Sequence, residues 1–101
     1  GYVVKDNDTY LLKDNTTLKN MVLSSTELKP KQSTRGHNHP GQEEIYYIVS
    51  GTGEMELDNK RFGIQGGDVV IIEDGVFHRV HNTSQNTPLY FVCVFDGNRN
   101  H

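Results

Sequence analysis

The sequence has one cysteine, three prolines, no dense run of Lys or Arg and no long apolar stretch. Each shortage excludes something. A single thiol, Cys93, cannot close an internal disulfide, and its place in an apolar run marks it as a small core residue. No unbroken apolar segment approaches the roughly 20 residues that span a bilayer, and the N-terminus lacks the charged-then-apolar layout of a signal peptide. A soluble, cytoplasmic protein is therefore expected. With a formal net charge of −3 and only Lys29, Lys31 and Arg35 as a loose basic group, neither nucleic acid nor an anionic membrane surface is expected as the main partner. Also missing is any sustained apolar spacing of three to four residues, so helix content should be minimal.

What the chain does contain is a series of short apolar runs separated by Gly, Pro, Asn and Asp. In a chain of 101 residues this implies one all-β domain, an antiparallel sandwich or barrel. Residues 1–17 read as edge strands or an arm, residues 18–28 as a long strand, and a polar loop at 29–33 leads into a strand from Thr34. Further strands are expected at 44–49, 54–57, 61–64, 68–72, 77–82 and 88–95, with 97–101 as a tail.

Within this pattern, Gly36-His37-Asn38-His39-Pro40-Gly41-Gln42-Glu43-Glu44 concentrates metal-ligating residue types. On an extended strand His37 and His39 leave the same face, and a chain reversal at Pro40-Gly41 can return the Glu44 carboxylate towards them. A third imidazole, His78, follows the apolar run 68–72 and a turn. His81, an odd number of residues further on, should face away as a surface histidine, and Asn82 should cap the following turn.

These segments resemble the two motifs of the cupin family, G-x5-H-x-H-x3,4-E-x6-G and G-x5-P-x-G-x2-H-x3-N. His37, His39, Glu44 and Gly51 match the first from its first histidine; Gly67, Gly75, His78 and Asn82 match the second. Lys31 stands at the first motif's leading glycine and Glu73 at the second motif's proline, both turn positions. The resemblance implies a single small jelly-roll barrel of the conserved-barrel type, with His37, His39, Glu44 and His78 around one divalent transition metal. Three imidazoles and one carboxylate would leave a site of charge about plus one with open positions. Mn, Fe, Co, Ni, Cu and Zn all suit such donors.

Beyond the metal, Tyr46 shares the face of Glu44, so either can act as the acid or base in proton transfer. Arg35 shares parity with the histidines and can reach an anionic group. The run Thr34-Arg35-Gly36-His37-Asn38-His39 is similar to the T-x-G-H-x-H stretch of archaeal-type metal-dependent phosphoglucose isomerases, which implies that Thr34 and Gly36 contact substrate phosphate. The expected function is that of a metal-dependent isomerase, epimerase or lyase on a small sugar, sugar phosphate or sugar acid. An Fe(II)-dependent dioxygenase and a non-catalytic ligand-binding module are the alternatives. Finally, Leu89, Phe91, Cys93 and Phe95 alternate with Tyr90, Val92 and Val94, so that strand is apolar on both faces. Its outer face calls for a cover, and a homodimer is expected unless the N-terminal segment folds across it.

Overall fold

A computed structural model describes residues 1–38 and 40–97. Among these there is no helix, and nine strands form two antiparallel sheets. The strands are β1 (Tyr2–Asp6), β2 (Tyr10–Asn15), β3 (Met21–Leu28), β4 (Glu44–Ser50), β5 (Thr52–Leu57), β6 (Lys60–Gln65), β7 (Val69–Ile72), β8 (His78–His81) and β9 (Leu89–Asp96). The larger sheet runs β1-β2-β3-β9-β4-β7 and the smaller β6-β5-β8. This is the expected jelly-roll barrel, and residues 1–17 supply its edge strands.

Period-two alternation decides what is inside. In β4 the residues Glu44, Tyr46 and Ile48 are buried while Ile45, Tyr47 and Val49 are exposed; in β9 Leu89, Phe91, Cys93 and Phe95 are buried. The core centres on Leu28, Ile48, Met55, Val80 and Leu89, all fully buried between the two sheets. Because paired residues share a face, the register lays the inner wall out in rows. Ile72, Glu44, Phe95 and Val22 form one, and Val70, Tyr46, Cys93, Ser24 and Asp14 the next. Glu44 and Tyr46 thus sit at the end of the barrel where polar side chains break the apolar lining.

The extended strand expected from Thr34 does not form. Residues 33–37 meet β8 through isolated bridges, Ser33 to His81 and His37 to His78, and through hydrogen bonds of Thr34 to Val80 and Arg79, without forming a continuous strand, and β3 begins at Met21 rather than Leu18. Nor does the N-terminal segment cover the outer face. The β1–β2 hairpin extends the sheet sideways from β3, leaving Leu23, Ile45, Tyr47, Val49, Val69, Ile71 and Tyr90 exposed.

The two departures from the motifs are absorbed by turn geometry. Lys29-Pro30-Lys31-Gln32 is a turn closed by the Gln32 N–H donating to the Lys29 carbonyl at 3.1 Å, with Lys31 at φ 66°. The third residue of such a turn needs positive φ, which glycine adopts freely and lysine only under strain. Glu73 opens a second turn, closed by the Val76 N–H at 3.1 Å, in which Gly75 at φ 77° takes the demanding position and the first residue is unconstrained.

Candidate metal centre

Three elements converge on one point. His37 comes from the irregular segment 33–37, Glu44 opens β4, and His78 opens β8. One ligand atom from each lies within 4.8 Å of the others, and Glu44 and His78 are deeply buried. The His37 and His78 rings meet edge to face with centroids 4.6 Å apart, and the two residues are joined by backbone hydrogen bonds in both directions at 3.2 and 2.9 Å. That two-way bridge carries His37 to the opening of β8 although 41 positions separate them in the sequence. His39 lies outside the described residues. Its neighbours are tied to the turn before His78: the Gly41 N–H donates to Asp74 Oδ1 at 2.6 Å, and Asn38 Nδ2 to the Gly75 carbonyl at 3.5 Å.

The donor set suits a divalent transition ion. The Val76 carbonyl, 3.1 Å from His78 Nδ1, can only accept, so Nδ1 holds a proton and Nε2 faces Glu44 Oε1 at 3.3 Å, leaving Nε2 as the nitrogen that would meet an ion. In the metal-free chain burial disfavours protonating His78. The hydrogen bond and charge of Glu44, with the Val76 carbonyl, outweigh this and raise its pKa above the usual 6.5. A proton shared by His78 and Glu44 is what an ion would displace.

Beside this centre lies a cavity of about 360 Å³, lined among others by Lys5, Tyr10, Thr26, Arg35, His37 and Tyr46. Tyr46 is buried, stacked on Phe91 at 5.4 Å and 5.9 Å from the His78 ring, with its side chain at the cavity wall. Thr34, Arg35 and Gly36 also line it, since the irregular backbone lets consecutive residues face inward. Their surroundings differ. The Thr34 hydroxyl accepts from the Val80 N–H at 2.9 Å, Gly36 is packed beneath the Phe77 ring, and the Arg35 side chain is exposed.

His81 is not at the surface. It is buried between Ser33 Oγ, 2.7 Å from Nδ1, and Glu56 Oε1, 2.9 Å from Nε2. Since the carboxylate can only accept, Nε2–H donates to Glu56 and Nδ1 accepts from Ser33. The hydrogen bond from His81 holds the Glu56 carboxyl below its usual value. Strand parity gave the correct side for His81 but not its partners, which come from a neighbouring strand and from the incoming segment 33–37. The bridge clamps that segment at Ser33, four residues before His37. Asn82 caps the next loop as expected: its Nδ2 donates to the carbonyls of Leu28 and Thr87, and its Oδ1 accepts from the Ser84 N–H.

Two sheets, a His–Glu–His cluster that could hold a metal ion and an adjoining cavity define a small β-barrel with a candidate metal centre. The cupin domain model matches residues 24–95, and the chain belongs to that family. It is 33% identical over 95 residues to an uncharacterized protein of Methanocaldococcus jannaschii, covering 83% of this chain and 75% of that one. It is 37% identical over 76 residues to an oxalate-binding protein of Thermotoga maritima, covering 75% of this chain and 62% of that protein. Among solved structures, a predicted oxalate decarboxylase from Thermotoga maritima superposes with a TM-score of 0.78 at 30% identity, covering 86% of this chain and 79% of that one. A protein with a double-stranded β-helix domain from Klebsiella pneumoniae superposes with a TM-score of 0.84 at 23% identity over 99% of this chain and 87% of that one, which is a likeness of fold.

Proposed function

We propose that this cupin holds one divalent transition metal through His37, Glu44 and His78, with His39 as a fourth ligand, and acts on a small acid, sugar acid or sugar phosphate as an isomerase, epimerase or lyase. The observation carrying this reading is the convergence of three ligand atoms within 4.8 Å beside a cavity of small-molecule size. When bound, the ion would supply Lewis-acid polarisation of a substrate oxygen. Tyr46 is the acid or base that meets the substrate from the cavity wall; Glu44 can take that role only to the extent that it is released from the ion. Arg35 receives an anionic group, while Thr34 and Gly36 shape the approach to His37. Similarity to an oxalate-binding protein and to a predicted oxalate decarboxylase supports an acidic ligand.

Two imidazoles and a carboxylate are also the ligand set of Fe(II) oxygenases, which favours O2 chemistry as the second reading. Elemental analysis of protein purified without added metal, followed by anaerobic turnover of a sugar-acid and sugar-phosphate panel, separates the readings. About one equivalent of metal with anaerobic turnover supports the first. Metal-dependent oxygen consumption supports the second, and metal-dependent ligand retention without turnover leaves a binding module.

The reading includes a homodimer in the cytoplasm, where a chain with one cysteine and no internal disulfide is at home. Leu23, Ile45, Tyr47, Val49, Val69, Ile71 and Tyr90 form an apolar outer face across β3, β9, β4 and β7, with the exposed Glu27, paired with Tyr90, at its rim. They expose on the order of 700 Å², near the roughly 800 Å² per partner that a standard interface buries, so a second copy of the same face is a fitting cover. Sedimentation at micromolar concentration should give the dimer mass, and Ile45→Lys with Ile71→Lys the monomer. A wild-type monomer would refute this.

A further inference from the structure

The cavity beside the metal centre has a charge unlike that of the whole chain. Net charge is −3, yet the described residues lining the cavity include two cations, Lys5 and Arg35, and no carboxylate. The one acidic group of the centre, Glu44, would be neutralised by the ion. Asp14 is buried on the same inner wall beside Ser24 but does not line the cavity, so an anion entering it would meet the two cations at the mouth and the ion at the centre.

Lys5 reaches the cavity through a local irregularity. In the β1–β2 ladder Val3 pairs with Lys13 on the outer face, and Lys5 pairs with Leu12 on the inner face. In an uninterrupted register Val4 would oppose Leu12 and Lys5 would oppose Leu11, turning the lysine outward. The extra residue, Val4, is a β-bulge that reverses the facing of everything beyond it. The inner position is occupied by a charged residue whose ammonium donates to Tyr10 Oη at 3.5 Å and lies 5.9 Å from the Tyr10 ring centroid. Both side chains line the cavity. Lys5 stays exposed at the mouth, so its charge is held towards the cavity without the penalty of full burial.

We propose that Lys5, aimed inward by the bulge at Val4 and braced by Tyr10, forms with Arg35 a second anion subsite, so that the ligand is a small dianion with one end on the metal and the other between these cations. The inference rests on the metal-centre reading and adds to it the number and placement of the ligand's charges. The shared chemistry is a second anionic group, carboxylate or phosphoryl.

The test is calorimetric titration of the metal-loaded protein with malonate, phosphonoacetate and acetate, with metal content measured on every variant. Wild type should bind a dianion at least about tenfold more tightly than acetate. Lys5→Met should weaken dianion binding about tenfold, leaving acetate binding and metal content unchanged. Lys5→Arg should retain most of the affinity, and Lys13→Met, on the outer face, all of it. A larger loss for phosphonoacetate than for malonate in Lys5→Met places a phosphoryl group at the mouth, and an equal loss a carboxylate. Equal dianion affinity in wild type and Lys5→Met, with metal present in both, overturns the inference alone. Wild-type protein that takes up no metal overturns it together with the metal reading.

Discussion

Gly36 offers a decisive perturbation, because two accounts of it predict different things. A Cβ on this residue would stand 2.2 Å from Phe77 Cζ and 2.7 Å from Cε1, where ordinary contact begins near 3.4 Å. Gly36→Ala therefore forces the ring or the segment carrying His37 to retreat by more than about 1 Å. Phe77 is only half-buried, so the ring can yield in part, and the cost should fall in the overpacking range of about 1–3 kcal/mol. For a domain of this size each kcal/mol lowers the melting temperature by about 4–8 °C. Thermal unfolding of wild type, Gly36→Ala, Phe77→Leu and the double variant forms a cycle. The alanine should cost less than about 0.5 kcal/mol once the ring is shortened, and metal uptake should recover with it. A Gly36→Ala protein as stable as wild type, yet deficient in ligand binding and not rescued by Phe77→Leu, would refute the packing account and return Gly36 to direct substrate contact.

Three further outcomes are expected. Lys31→Gly should raise stability by about 0.5–1 kcal/mol in denaturant unfolding, because φ 66° suits glycine and strains lysine. His78→Ala should weaken metal binding by at least about a hundredfold in competition with a chelator, since it removes a ligand and not merely its support. The pH dependence should reverse with metal. In the metal-free chain the folded-state pKa of His78 is raised, so its stabilisation is present below the usual 6.5 and is lost as pH rises through the folded value. In the loaded chain protons compete with the ion, so stability should grow over about pH 6 to 8. Chemical unfolding across that range, with and without metal, reads both slopes.

How much of this was legible in the sequence depends on whether the information was local. Alternation in 44–49, with Glu44 inward, gave the inner side chains of that strand, the doubly apolar run 89–95 marked a strand covered on both faces, and the absence of helical spacing excluded helices, because each follows from one segment's own period. The resemblance to the two cupin motifs pointed to His37, His39, Glu44 and His78 as ligands, and three of these, His37, Glu44 and His78, come together in the fold. What escaped was set by partners elsewhere in the chain. A strand is expected from Thr34, but segment 33–37 is held by two bridges to β8 and by the Thr34 and Ser33 hydroxyls, so parity does not govern which residues face the cavity. His81 looked like a surface residue because Ser33 and Glu56 are 48 and 25 positions away. The inward turn of Lys5 depends on a bulge, and a single extra residue leaves no mark in composition.

The central claim is that His37, Glu44 and His78, with His39, surround one ion. Anomalous diffraction from crystals grown with a divalent transition metal tests it directly. The account predicts one strong peak within about 2.0–2.3 Å of a nitrogen or oxygen from each of these residues. A peak elsewhere, or none at this position with the metal present in excess, would contradict it.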